Sequence, residues 1–187
     1  MQTFGNIYRF YLMNFLKNTL RLLLSIVLVI APIYIIFYFS NQTGIQSHGL
    51  SDKIATHIAF KWNVIFSLHL PTDSLKVLID ALSMPTRKLA HVTEYAILGG
   101  FAYSSMYILQ RRVKISGIFL IMLLVILVAS SDEIHQAFVA QRGSHVTDVI
   151  IDVTSGVMGI YLFIIFKDFC RKFFYLLKKM FKTVLFL

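Results

Sequence analysis

The sequence predicts an all-α, polytopic membrane protein: four transmembrane helices, with amphipathic helices lying on the membrane surface. Three observations carry this. The 187-residue chain is 57% apolar with a mean hydropathy of +0.73, too apolar for an ordinary soluble domain. Its apolar residues gather into four runs long enough to span, about 22–39, 86–109, 115–137 and 148–166. Its net charge of +9 comes from Lys and Arg residues that cluster at the ends of those runs. A membrane protein places its bases there, so the charge gives no reason to expect nucleic-acid binding. The length allows one domain, residues 1–187. The only cysteine, Cys170, excludes an intramolecular disulfide and a Cys-based metal centre.

Taken in order, residues 1–21 carry Arg9, Lys17 and Arg21 with no acid, interleaved with Phe4, Tyr8, Phe10, Tyr11, Phe15 and Leu16. This reads as a basic interfacial helix leading into the first span. The apolar run is too long for a signal peptide, and no small-x-small cleavage site follows it, so it reads as a retained anchor. The stretch from Ser40 to Ser47 is polar and turn-prone. Ser51 then reads as the cap of a helix with Ile54, Ile58, Trp62, Ile65 and Phe66 on one side. Pro71-Thr72-Asp73 interrupts it, and a short helix holding Leu75, Leu78, Ile79 and Leu82 follows. Neither is apolar for long enough to span, so both are expected on the membrane surface. Pro85 suits the first turn of the second span. Arg111, Arg112 and Lys114 make a basic loop before the third span, and residues 141–147 make a turn before the fourth. The tail, 167–187, carries Lys167, Arg171, Lys172, Lys178, Lys179 and Lys182 among Phe and Leu, and reads as a basic surface helix. Arg142 is the one base in the 141–147 loop, so the positive-inside rule puts both termini in the cytoplasm and that loop outside.

With that topology, the start of the second span, the end of the third and the start of the fourth lie on one side, and each carries ionisable residues. Arg87, His91 and Glu94 stand at i, i+4 and i+7, on one helix face, with Lys88 and Tyr95 beside them. Asp132 and Gln136 share a face at i, i+4 next to Glu133, as do Asp148 and Asp152. Gly156 and Gly159 allow close helix packing beside this last pair. Ionisable groups are costly in lipid, so these faces are expected to converge on one outward-facing cavity with Arg142. The competing readings are local. A single Asp at a span end is usually a cap, and Glu94 pairs as readily with Arg87 or Lys88 as structural glue. His48, His57, His69 and His145 read as surface residues. The local readings leave unexplained why the inner ends of the spans carry bases and almost no acids.

Four motifs in order, FSNQTGIQS, RKLAHVTEY, DEIHQAF and RGSHVTDVIID, resemble the VanZ-like family of bacterial integral membrane proteins over about 40–159. The family is named for a protein associated with resistance to the glycopeptide teicoplanin. The resemblance maps the family's motif positions onto Arg87, Lys88, His91, Glu94, Tyr95, Asp132, Glu133, Gln136, Arg142, Asp148 and Asp152. Two positions depart from it: Ser155 where a glycine is expected, and Ala140-Gln141 where Pro-Gly is expected. The resemblance implies a protein of the bacterial cytoplasmic membrane acting on the cell envelope. Its partners would be membrane lipids and a lipid-linked cell-wall precursor or a glycopeptide.

Two kinds of function fit these residues. In an enzyme, His91, Glu94, Asp132, Glu133, Asp148 and Asp152 would form the catalytic set, moving protons. Arg87, Lys88, Tyr95, Gln136 and Arg142 would hold an anionic substrate. No activated serine or cysteine points to a covalent mechanism. A divalent metal on Asp132, Glu133, Asp148, Asp152 or His91 is open, though the spacing matches no strong metal signature. In a non-enzymatic protein the same charges would bind a lipid head group or antibiotic, form a small transport path, or brace a scaffold.

Overall fold

The computed structural model describes residues 2–185, with side chains from 9 to 181. The side chains of Phe4 and Tyr8 in the N-terminal stretch, and of Lys182 in the tail, lie outside the described residues. Those residues form five helices and no strand: α1 Gln2–Ser40, α2 Gly44–Ile65, α3 Thr72–Gln110, α4 Ile115–Gln136 and α5 Val146–Leu185. Three are long and apolar enough to cross a membrane, over Arg9–Ser40, Ile115–Gln136 and Val146–Phe181.

α3 is the central helix and touches each of the other four. That position explains why it is less apolar than its length allows. Its inner residues are Tyr95, Leu98, Gly99, Gly100, Ala102, Tyr103, Ser104 and Ser105, all buried against protein rather than facing outward. The Ser104 hydroxyl donates to the Gly100 carbonyl one turn back at 2.7 Å, so a buried hydroxyl is satisfied without leaving the helix. Two apolar layers pack around α3. Tyr95 and Leu98 meet Ile36 of α1 and Val125, Val128 and Ala129 of α4. Further along, Ala102 and Tyr103 meet Ile121 and Ile160. Close packing of α3 on α5 depends on glycine: a Cβ at Gly99 would overlap the Gly156 carbonyl, and one at Gly159 the Ala96 carbonyl.

Several sequence expectations change. The short helix after Pro71 and the second span are one helix, because Pro85 removes a backbone donor without ending α3. The basic N-terminal stretch is continuous with the first apolar run, and the basic tail with the last. At 40 residues α5 is about 60 Å long, roughly twice a hydrocarbon core, so its basic end projects well beyond its apolar part.

α2 also differs. Thr43, not Ser51, caps it, through a capping box with Gln46. Its buried stripe is Gly44, Ser47, Ser51, Ala55 and Ala59, while Ile54, Trp62, Ile65 and Phe66 are exposed. Small residues let α2 lie against α3, where Asp52 accepts a hydrogen bond from Ser83. So α2 is a bundle member whose bulky face points outward.

Candidate functional site

One end of the bundle is polar, and the sequence makes it so by changing residue type along faces that are otherwise apolar. The buried face of α4 runs Gly117, Ile121, Val125, Val128 and then Asp132 and Gln136. The inner face of α5 begins with Asp148 and Asp152 before reaching Gly156 and Gly159. α3 contributes Arg87, His91, Glu94 and Tyr95 at the same level.

The 137–145 connection closes this end. Arg142 donates from Nη2 to the Phe39 carbonyl at 3.0 Å, and Gly44 N–H donates to the Ala140 carbonyl at 3.0 Å. His135 Nε2 lies 2.8 Å from Asn41 Oδ1. The polar stretch after α1 therefore anchors the loop that carries Arg142. A Cβ at Gly44 would overlap the Gln141 carbonyl, so this contact requires glycine.

The enclosed space is a cavity of about 240 Å³ lined by Arg87, Lys88, His91, Glu133, Gln136, Arg142, Asp148 and Asp152, with His48, Gln141 and His145 at its edge. A second, mainly apolar groove of about 410 Å³ adjoins it between α1, α2 and α3, lined by Phe39, Leu50, Ile54, Leu89 and Glu94 among others. Arg87, His91 and Arg142 line both spaces.

Asp132 and Asp152 are almost fully buried, at 0% and 1% exposure. Tyr95 Oη donates to Asp132 Oδ2 at 3.2 Å and Gln136 Nε2 to the same oxygen at 3.0 Å. Glu133 accepts from the His145 backbone N–H at 2.9 Å. Asp132 Oδ1, Asp152 Oδ2 and His91 Nδ1 are buried with no hydrogen-bond partner, as are Nε and Nη1 of Arg142. Among the described residues no ion pair reaches Glu94, Asp132, Glu133, Asp148 or Asp152; the recorded pairs join Asp168 to Lys167 and Arg171. Burial and the neighbouring Arg87 guanidinium both draw the pKa of Arg142 below the ordinary arginine value, so this end holds a cation in want of an anion.

All eleven residues singled out from the sequence thus gather at this end. Tyr95, at 0% exposure, reaches Asp132 rather than the cavity. Glu94 lines the apolar groove and is not paired with Arg87, whose Nη1 lies 3.2 Å from His48 Nε2. His48 and His145 are exposed, as expected of surface residues, and both also line the cavity. His57 and His69 are exposed, as expected. The signal for His48 was its place beside Ser47 on the small-residue stripe, which only makes sense once α2 is packed against α3.

The VanZ/LLP1 family model matches residues 22–167. The chain belongs to this family. No curated protein and no solved structure matches it. The match extends beyond the motif region at both ends, back over about the second half of α1 and further along α5. Both departures from the VanZ-family pattern have local explanations. Gln141 sits at φ 61°, the left-handed region where glycine is favoured, which costs a side chain about 1–2 kcal/mol. Ser155 is buried, and its hydroxyl donates to the Ile151 carbonyl at 2.7 Å.

Proposed function

We propose that this VanZ-family protein crosses the cytoplasmic membrane of a bacterium four times, with α3 supplying the fourth span over about Thr86 to Leu109 and both termini inside. Its cavity opens outward and takes the anionic head of a lipid-linked envelope molecule such as a cell-wall precursor. The observation that carries this reading is the junction of the two spaces, the 240 Å³ polar cavity and the 410 Å³ apolar groove, at Arg87, His91 and Arg142. A molecule with a charged head and a hydrocarbon tail uses both surfaces. A soluble anion would need only the first, and a neutral lipid only the second.

Arg87, Lys88 and Arg142 hold the anion, with Arg142 offering two guanidinium nitrogens that have no partner. Gln136 and Tyr95 orient Asp132. His91, Glu94, Asp132, Glu133, Asp148 and Asp152 are the groups available to exchange protons with a bound head group. A scaffold braced by structural ion pairs fits less well, because these carboxylates are not paired among the described residues. The family's namesake is tied to teicoplanin resistance, so a glycopeptide is the second ligand to test.

Binding is read by native mass spectrometry of the intact protein released from nanodiscs of equal phosphatidylglycerol and phosphatidylcholine. The wild type should retain the anionic lipid. Charge-assisted hydrogen bonds contribute about 1.5–3 kcal/mol each, so Arg142→Met should reduce retention by roughly 10- to 100-fold. Equal retention of the two lipids by the wild type would reject the reading.

Orientation has its own test. With Cys170 replaced by serine, an impermeant maleimide should label Ser144→Cys from outside intact cells and leave Gln110→Cys, an exposed position at the other end of α3, unlabelled. The reverse pattern would put the cavity on the cytoplasmic face.

A further inference from the structure

We propose that His91, Asp132 and Asp152 bind one divalent first-row metal ion at the base of the cavity. One ligand atom from each of the three residues lies within 4.8 Å of the other two. Around a bound ion such atoms stand roughly 3–4 Å apart, given metal–ligand bonds of about 2.0–2.2 Å. The three side chains therefore need to close by about 1–2 Å at most.

A cluster of acids alone would not make a site, but two further features point to a ligand. Asp132 Oδ1, Asp152 Oδ2 and His91 Nδ1 are all buried and lack a hydrogen-bond partner, on carboxylates exposed by only 0% and 1%. Buried carboxylates are normally paired with a cation or coordinated to a metal. No ion pair reaches these two among the described residues. The other oxygen of Asp132 is fixed by two donors, Tyr95 Oη and Gln136 Nε2. That leaves Oδ1 turned to the free side, the arrangement in which outer hydrogen bonds orient a ligating carboxylate.

The charge balance agrees. Five carboxylates (Glu94, Asp132, Glu133, Asp148 and Asp152) face three cations (Arg87, Lys88 and Arg142). With His91 neutral, as a ligand must be, one divalent ion removes the excess. One imidazole and two carboxylates are a borderline-to-hard donor set, suited to Mn²⁺ or Zn²⁺ rather than to a thiophilic ion. Three protein ligands leave coordination positions open. His91 and Asp152 line the cavity, so the open side faces the space assigned above to the anionic head group. The inference deepens that reading, but metal and lipid binding are measured separately and each can fail alone.

The test uses the full chain in detergent, stripped with EDTA and titrated with Mn²⁺ while the electron paramagnetic resonance signal of free aqueous Mn²⁺ is followed. One Mn²⁺ per chain is expected, displaced by Zn²⁺. Asp152→Asn and His91→Gln should weaken binding at least 100-fold. Tyr95→Phe, which removes only the hydrogen bond to Asp132, should weaken it roughly 10- to 100-fold. Asp168→Asn, at the far end of the apolar part of α5, should leave it unchanged. No binding by a folded wild type, or equal binding by the Asp152 and His91 variants, overturns the site. Should those variants fail to fold, X-ray absorption of the Zn²⁺-loaded wild type decides. Nitrogen and oxygen neighbours near 2.0–2.2 Å support the site, and a shell of oxygen alone overturns it. Repeating the lipid measurement on stripped and loaded protein separates the two readings. Metal bound without lipid preference refutes the substrate alone, and lipid preference without metal refutes the ion alone.

Discussion

Gly99→Leu and Gly159→Leu are each expected to leave little folded protein in the membrane. At both positions a Cβ would overlap backbone of the facing helix, the Gly156 carbonyl from α3 and the Ala96 carbonyl from α5. Backbone cannot rotate aside as a side-chain tip can, so α3 and α5 must separate along the seam that also sets the spacing of His91 and Asp152. Alanine gives the sharper sign test. In a helix interior Gly→Ala gains about 1 kcal/mol from propensity alone. Overpacking costs about 1–3 kcal/mol and more when backbone must move. Gly99→Ala and Gly159→Ala should therefore destabilise despite the gain. Gly49→Ala, on α2 with nothing within 4 Å of a built Cβ, should stabilise by about 1 kcal/mol. Thermal unfolding in detergent and the amount of protein in membranes measure both. Gly99→Ala as stable as the wild type would mean that the two helices are not in backbone contact.

The convergence at the polar end was legible because it rests on helical spacing. Three sets of polar residues at i, i+4, each with at least one ionisable member and each at the end of an apolar run, come together whether or not the loops are understood. What escaped the sequence was the lateral packing. In a soluble protein the bulky apolar residues of a helix point inward, and α2 read that way would bury Ile54, Trp62 and Phe66. In this bundle those residues face outward, and Gly44, Ser47, Ser51, Ala55 and Ala59 face α3. Where lipid is the solvent, apolar surface has no preference for the interior, and small residues mark it instead. The same inversion hid His48. The same packing accounts for the composition of α3, whose buried Gly, Ser and Tyr residues lie against protein. Pro85 misled in another way, since it marks a missing donor within α3, not a boundary.

Glu94→Gln and Asp148→Asn are expected to abolish whatever susceptibility phenotype the protein confers, teicoplanin included, while leaving its level in the membrane within about twofold of normal. The abundance half follows from the absence of partners. Removing one side of a truly buried ion pair leaves the other charge stranded and costs roughly 3–5 kcal/mol. Among the described residues neither carboxylate is in such a pair, and Arg87 turns to His48 instead. Asp148 does lie in the first turn of α5, where a negative charge interacts with the helix dipole, but that contributes only about 0.3–1 kcal/mol. Each substitution keeps shape and hydrogen-bonding capacity and removes one charge from the end where the polar cavity and the apolar groove meet. The functional half follows if those charges act on a bound head group. Uncharged double variants separate the alternatives. Arg142→Met with Glu94→Met removes a cation and an acid together, so a bundle held by their mutual attraction keeps its fold and regains its phenotype. A site that needs both charges keeps its fold and stays inactive. Abundance by immunoblot and phenotype by minimum inhibitory concentration are measured on the same cultures. A double variant that restores the phenotype would remove the binding and catalytic readings together and leave the charges a purely structural role.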